Sequence, residues 1–260
     1  MCKIYQPAGR AREYSPLALN MYKGCTHGCK YCYVPRIFCK WNRDYNHAAC
    51  EPKFNATELE RSAANLQGCG KQILLSFTGD PYCGIDNTPT RQALEILNRY
   101  NHHVAILTKG GTRCLKDIDL FKQFGKRIKI GATLTFSKDE ESMEWEPGGA
   151  LPGNRLDMLR QLHEQGITTW ASFEPVVIPD HSLTLLLMVA SGGYVDHVKI
   201  GKINNYQDID KRIDWNLFIK NAVDICRHYN LPFYIKNDLA SFNRDTVLRP
   251  EERDQDYLNI

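Results

Sequence analysis

From residue 73 onward, short apolar runs rich in β-branched residues alternate with longer segments of helical periodicity, and this order alone excludes most architectures. Residues 73–77 read as a strand and 90–100 as the helix after it, with Thr88 or Thr90 able to cap that helix. Residues 104–108 (strand) and 112–124 (helix) repeat the pair, as do 128–135 and 154–165. Strand 167–173 precedes a short helix at 183–190, strand 197–200 precedes a helix at 215–229, and residues 233–235 form a last strand. Alternation of this kind, with short connections, builds a parallel sheet covered by helices. Six or seven such units predict an α/β fold, a partial (β/α)6 TIM-type barrel. No glycine-rich dinucleotide fingerprint follows a strand, which argues against an open Rossmann sheet. Without repeat, low-complexity stretch or linker, residues 1–260 are expected to form one domain, with segment 230–260 closing the barrel.

Barrels of this class carry their active sites at the C-terminal ends of the strands. Those ends hold Thr78, Gly79 and Asp80, Thr108 and Lys109, Thr133 and Thr135, Glu174, Lys199 and Lys202, and Lys236 and Asp238. Loops after strands are ordinarily polar, so any one of these is expected to be solvated. Their recurrence on one rim is the signal.

The net charge of +3, from 33 basic and 30 acidic side chains, is too small to indicate nucleic acid by itself. The first 14 residues have no signal-like apolar core, and the most apolar run, 183–190, falls far short of the roughly 20 residues that span a bilayer. A cytoplasmic protein with no membrane partner is therefore expected. In that compartment thiols stay reduced, so the ten cysteines are not expected to be disulfide-paired. Metal ligation or catalysis is the default for those that cluster.

Three do cluster, in the loop 24–33: Cys25, Cys29 and Cys32, after the apolar run 17–22 that reads as the first strand. Three closely spaced thiolates can each hold one iron of a cubane, leaving a fourth iron open, whereas electron-carrying clusters are closed by four cysteines. An open position is where chemistry occurs. Gly24 and Gly28 let the backbone wrap tightly. A structural zinc site completed by His27 or His47 is the competing reading.

The order Cys, three residues, Cys, one residue, aromatic, Cys, with Tyr31 as the aromatic, resembles the signature of the radical S-adenosylmethionine (SAM) superfamily. The resemblance implies a [4Fe-4S] cluster on Cys25, Cys29 and Cys32 whose open iron binds the amino and carboxylate groups of SAM. One electron then cleaves SAM to methionine and a 5′-deoxyadenosyl radical, which takes a hydrogen atom from substrate. It also implies an electron donor such as flavodoxin or ferredoxin. Ser15–Asn20, Thr78–Asp80, Leu107–Lys109 and Glu146–Gly148 are similar to the spore photoproduct lyase-like branch, often labelled DNA repair photolyases. By that similarity Tyr33 lies near the cluster and adenosine, and Gly79 and Asp80 at the methionine amino group. Lys109 meets the methionine carboxylate, and Thr133, with Thr135 beside it, the ribose. Glu146 and Arg155 match a recurring pair that shapes the pocket, and surface pairs of that kind contribute little.

Two positions depart from the branch. Phe77 stands where the lyases carry the cysteine that returns a hydrogen atom, and phenylalanine has none to give; Cys83, a few residues on, is the candidate substitute. Glu174 replaces a small residue and could grip the SAM amino group or a substrate amine or hydroxyl. Both argue against repair of spore DNA. Three functions are left open: a radical SAM enzyme acting on a nucleotide or nucleic acid, one acting on a small molecule or peptide, and a non-catalytic metal-binding scaffold. For the first, Arg36, Lys40, Trp41, Arg43 and Tyr45 form a basic and aromatic stretch able to bind phosphate and stack on a base. For the second, Lys199, Lys202, Asn204, Lys236 and Asp238 can hold an anion. Cys39, Cys50 and Cys69 are candidates for an auxiliary cluster, with buried structural thiols as the default.

Overall fold

A computed structural model describes residues 3–40, 42–84 and 86–260. Its frame is a curled sheet of seven parallel strands: β1 (Leu17–Leu19), β4 (Gln72–Leu75), β5 (His103–Thr108), β6 (Ile128–Thr133), β7 (Thr168–Val176), β8 (His197–Lys202) and β9 (Phe233–Ile235). They lie side by side in that order, with β1 and β9 as the two edges, so the barrel is partial as the alternation predicts. A separate antiparallel pair, β2 (Tyr22–Gly24) and β3 (Cys50–Pro52), sits beside the cysteine loop. The expected first strand, 17–22, thus splits in two: Leu17–Leu19 pairs with β4, and the chain then leaves the sheet.

Both faces of the sheet are covered, and side chains alternate between two cores with the period of a strand. On β6, Ile128, Ile130 and Ala132 join the large core beneath the helices, while Lys129, Gly131 and Thr133 point the other way, into the barrel. On β7, Ala171 and Phe173 take the helix side and Trp170 the inner side, where it joins Tyr14, Leu74 and Ala105 in a second, smaller core. Gly131 makes this possible, because a Cβ there would lie 2.5 Å from the Trp170 indole nitrogen. That nitrogen donates to the Ile106 carbonyl at 3.0 Å.

Helices between the strands include α3 (Thr88–Arg99), α4 (Ile118–Phe124), α6 (Pro152–Glu164), α7 (Pro179–Gly192) and α9 (Trp215–His228). Proline at the first turn starts α3, α6 and α7, where a missing N–H is harmless. α7 is longer than the 183–190 expectation and ends on Gly193 at φ 67°, the left-handed position that favours glycine. The expected helix at 112–124 begins as a 3-10 turn over Gly111–Asp117. Thr88 and Thr90 do not cap α3; Asn87 precedes it, and the Thr90 hydroxyl donates to the Pro81 carbonyl instead. Five further helices, α1 (Val34–Lys40), α2 (Ala56–Asn65), α5 (Asp139–Trp145), α8 (Gln207–Asp210) and α10 (Asn237–Ala240), lie outside the strand–helix alternation read from the sequence.

Beyond β9, the chain returns beneath the barrel, at the N-terminal ends of the strands. Ile235 N–H donates to the Glu252 carbonyl, and Lys129 and Lys199 donate to the carbonyls of Leu258 and Gln255. On the open side between β1 and β9, the 9–14 segment is fastened by Glu13, which accepts from Tyr234 Oη at 2.7 Å and Asn237 N–H at 2.8 Å.

Candidate active site

A cavity of about 820 Å3 opens at the C-terminal ends of the strands, a size typical of small-molecule sites. One wall is the cysteine loop. Gly24 enters it at φ 83°, and a Cβ there would lie 2.3 Å from the Ala49 carbonyl oxygen. The loop is latched to the segment after α5: Lys30 N–H donates to the Trp145 carbonyl and Gly148 N–H to the His27 carbonyl, each at 2.9 Å. Gly148 must lack a side chain, since a Cβ would sit 2.0 Å from the Thr26 carbonyl oxygen. Tyr31 stacks on Trp145, and its hydroxyl donates to Glu146, whose other carboxylate oxygen takes Arg155 at 2.5 Å. This pair is buried, 1% and 2% exposed, contrary to the expectation of a surface pair. Arg155 also donates to the carbonyls of Thr133 and Ala150, so one guanidinium ties β6, α6 and the cysteine loop together.

Cys25, Cys29 and Cys32 are free thiols, partly buried, and all three line the cavity. Burial pushes the Cys29 thiol up to about 12, against the pull of the Lys109 charge. Among the described residues, no three His, Cys, Asp or Glu side chains converge on a point suited to one metal ion. A cubane gives each iron its own thiolate, so three thiols arrayed along a cavity wall, beside a cation, fit that donor set. His27 uses Nδ1 on the Gly148 carbonyl and turns Nε2 toward Asp80 Oδ2 at 3.1 Å, while His47 Nδ1 faces the Cys25 carbonyl.

Asp80 lines the cavity, yet its carboxylate is already engaged. Oδ1 accepts from Tyr82 N–H and Thr108 Oγ1, and Oδ2 from Lys109 N–H, with His27 alongside. Burial would raise its pKa; His27 and these hydrogen bonds overcome that and hold it below the ordinary carboxylate range. Asp80 therefore fixes the ends of β4 and β5 and is not open to receive a ligand amine. Gly79, Lys109 and Thr133 also line the cavity. Lys109 has no carboxylate partner among the described residues, and its Nζ lies 5.5 Å from the centre of the Tyr31 ring.

Tyr14, Glu174 and Lys236 line the same cavity. Glu174 Oε2 accepts from Tyr14 Oη at 2.5 Å and from Lys236 Nζ at 2.6 Å. Burial first, and then the charge on Glu174, keep the Tyr14 phenol well above its usual pKa. Gly201 on β8 gives this group its room, because a Cβ there would lie 2.8 Å from Glu174 Cδ and 2.9 Å from Lys236 Cδ. A bulge between β7 and β8 after Phe173 turns Glu174 toward the cavity.

The structure gathers Tyr33, Gly79, Asp80, Lys109, Thr133 and Glu174 with the three cysteines, along with Lys202, Asn204 and Lys236. Other expectations need correction. Cys83 is bonded to Cys50 and does not line the cavity, so it has no thiol hydrogen to give. The β2–β3 pairing sets Cys50 opposite Gly24, near the turn that follows Asp80, which brings the two sulfurs together despite the expectation of reduced thiols. Cys50 is therefore unavailable to an auxiliary cluster, and Cys39 and Cys69 are exposed instead of buried. Thr135 is buried outside the cavity wall, and its hydroxyl has no partner among the described residues. Glu146 and Arg155 act one layer behind the wall, through Tyr31. Lys199 lies deeper in the barrel, donating to the Glu13, Tyr14 and Gln255 carbonyls, and Asp238 pairs with Arg10. Of the basic stretch, Arg36, Lys40 and Tyr45 reach the cavity and Arg43 does not; Trp41 lies outside the described residues. Tyr14 and Arg10 were missed, since nothing in their sequence context marks the 8–14 segment as a barrel wall.

The profile described as "Radical SAM superfamily" matches residues 19–185. An uncharacterised protein of Methanocaldococcus jannaschii is 33% identical over 168 residues, covering 62% of this chain and 60% of the relative. One from Acidianus two-tailed virus is 24% identical over 172 residues, covering 63% of this chain and 56% of the relative. Each match thus spans less than two thirds of the relative's own length. Among solved structures, Streptococcus suis SuiB bound to S-adenosylmethionine superposes with a TM-score of 0.65 at 14% identity, over 88% of this chain and 52% of that one. A spore photoproduct lyase mutant superposes with a TM-score of 0.67 at 12% identity, over 89% and 79%. At these identities the likeness is one of fold.

Proposed function

The chain belongs to the radical SAM superfamily, and on that premise we propose that it is a radical SAM enzyme of the spore photoproduct lyase-like branch, acting on a nucleotide or nucleic acid. The family implies SAM and an iron–sulfur cluster; with a [4Fe-4S] cluster on Cys25, Cys29 and Cys32, reduction by a donor such as flavodoxin or ferredoxin would supply the 5′-deoxyadenosyl radical that takes a hydrogen atom from substrate. The observation that carries the proposal is three free thiols on the wall of one cavity, with Lys109 beside them and without a carboxylate partner.

In this reading the chain positions and excludes. Glu146 and Arg155 hold Tyr31, and through it the turn between Cys29 and Cys32. Lys109 offers its charge to the SAM carboxylate. The amino group goes to the Gly79 backbone, because the Asp80 oxygens serve His27, Thr108, Tyr82 and the Lys109 backbone. Thr133 is free to meet a ribose hydroxyl, and Tyr33 and Phe77 keep water from the adenosine side. Glu174 Oε2 is shared by Tyr14 and Lys236, whereas Oε1 takes only a long bond of 3.5 Å from the Asn204 amide and so keeps a lone pair for a substrate hydroxyl or amine.

The test is SAM binding to anaerobically reconstituted protein by equilibrium dialysis, together with iron and sulfide content. Native protein should carry about four of each per chain. A Lys109→Met variant should keep them while losing roughly tenfold or more in SAM affinity. Native-like affinity in Lys109→Met would remove Lys109 from the SAM site, and zinc in place of iron would overturn the proposal.

A further inference from the structure

The reading above leaves open what kind of molecule the cavity takes, and this inference rests on it. Charges on the cavity wall do not balance. Its carboxylates, Asp80 and Glu174, are both engaged, whereas Arg10, Arg36, Lys40, Lys109, Lys202 and Lys236 all line it. Arg10 pairs with Asp238 at 3.2 Å, Lys202 with Asp210 at 2.6 Å and Lys236 with Glu174 at 2.6 Å. Lys109 stands beside the cysteines. Arg36 and Lys40 remain, and among the described residues neither has a carboxylate within ion-pair distance.

These two are four residues apart on α1, Val34–Lys40, which places them on one face of the helix. Like charges at that spacing repel each other, and an anion between them relieves the repulsion. The Arg36 guanidinium is steadied by a bond to the Asn205 carbonyl at 3.1 Å. A guanidinium beside an ammonium suits phosphate, the first as a two-pronged donor and the second as a point charge. Ile37 and Tyr33 line the same cavity and offer apolar and aromatic surface suited to a flat ring.

We propose that Arg36 and Lys40 form a phosphate-binding subsite at the mouth of the cavity, holding the phosphate of a substrate whose ring enters beside Tyr33. The phosphate can belong to a free nucleotide or to a nucleic-acid strand, and the two are separable. The reconstituted full chain is titrated with the four 2′-deoxynucleoside 5′-monophosphates, with the matching nucleosides, and with a mixed-sequence DNA strand of about ten residues. At least one monophosphate should bind roughly tenfold or more tighter than its nucleoside. An Arg36→Gln/Lys40→Gln variant should erase most of that difference; both side chains are exposed, so packing is undisturbed. Tighter binding of the strand, weakening steeply between about 50 and 200 mM salt, identifies a nucleic acid as the source. Discrimination among monophosphates without strand binding identifies a free nucleotide. Equal affinity for monophosphate and nucleoside, no binding of any phosphate probe, or an unaltered double variant would overturn the subsite and return α1 to a solvated face. The same preparation is assayed for 5′-deoxyadenosine from SAM: its presence without phosphate discrimination sinks the subsite alone, and its absence with discrimination intact sinks the radical reading alone.

Discussion

Replacing Glu146 by glutamine removes the counter-charge of Arg155 in a place where water cannot substitute, since both side chains are nearly inaccessible. Arg155 is held in place, because its Nε and Nη1 donate to the Ala150 and Thr133 carbonyls. Breaking one side of a buried pair costs about 3–5 kcal/mol. In a chain of this length each kcal/mol moves the melting point by about 2–4 °C, so Glu146→Gln should melt roughly 6–20 °C lower. A Glu146→Leu/Arg155→Met variant removes both charges and should cost less than the single change, since a buried pair exchanged whole for apolar groups is often near neutral. Some penalty will remain, as two carbonyls lose their donor, at about 1 kcal/mol each. Differential scanning calorimetry of the three proteins without cluster reads this directly. A shift under about 2 °C for Glu146→Gln would refute the reasoning, as would a double variant less stable than the single.

Other outcomes follow from the barrel interior. Burial lowers Lys199 to about 7, against about 10.4 for a free lysine. Between those values the unfolded chain holds a proton that the folded chain does not, so this residue makes stability rise with pH by up to about 1.4 kcal/mol per unit and adds no slope below pH 7. Urea unfolding from pH 7 to 9.5, with Lys199→Met subtracted, should show that positive slope; a flat or falling difference contradicts it. Gly201→Ala should destabilise by about 1–3 kcal/mol through its contacts with Glu174 and Lys236, whereas Gly153→Ala in α6, with nothing within 4 Å of its Cβ, should be neutral or stabilising. Equal melting points for the two would show that the Gly201 contact relaxes freely.

The sequence made the barrel legible because its strands are buried on both faces: 73–77, 104–108 and 128–135 read as apolar runs between helices, and each is a parallel strand within a few residues. The cysteine loop was legible from its spacing alone. What escaped depends on contacts far apart in the chain. Tyr14 reaches the cavity through Glu174, 160 positions away, and Cys83 meets Cys50 through a two-stranded ribbon with no alternating pattern. Glu146 and Arg155, nine residues apart, looked like a surface pair because nothing local shows that α6 and the cysteine loop bury them. Asp80 was placed at the SAM amino group by similarity to the family; only the structure shows its oxygens filled.

The most direct measurement is of SAM cleavage: protein reconstituted anaerobically with iron and sulfide, reduced, mixed with SAM, and analysed for 5′-deoxyadenosine beside a Cys29→Ala variant. The account predicts the nucleoside from the native chain and none from the variant. Equal yields from both, or zinc bound where iron is expected in protein isolated without oxygen, would contradict it.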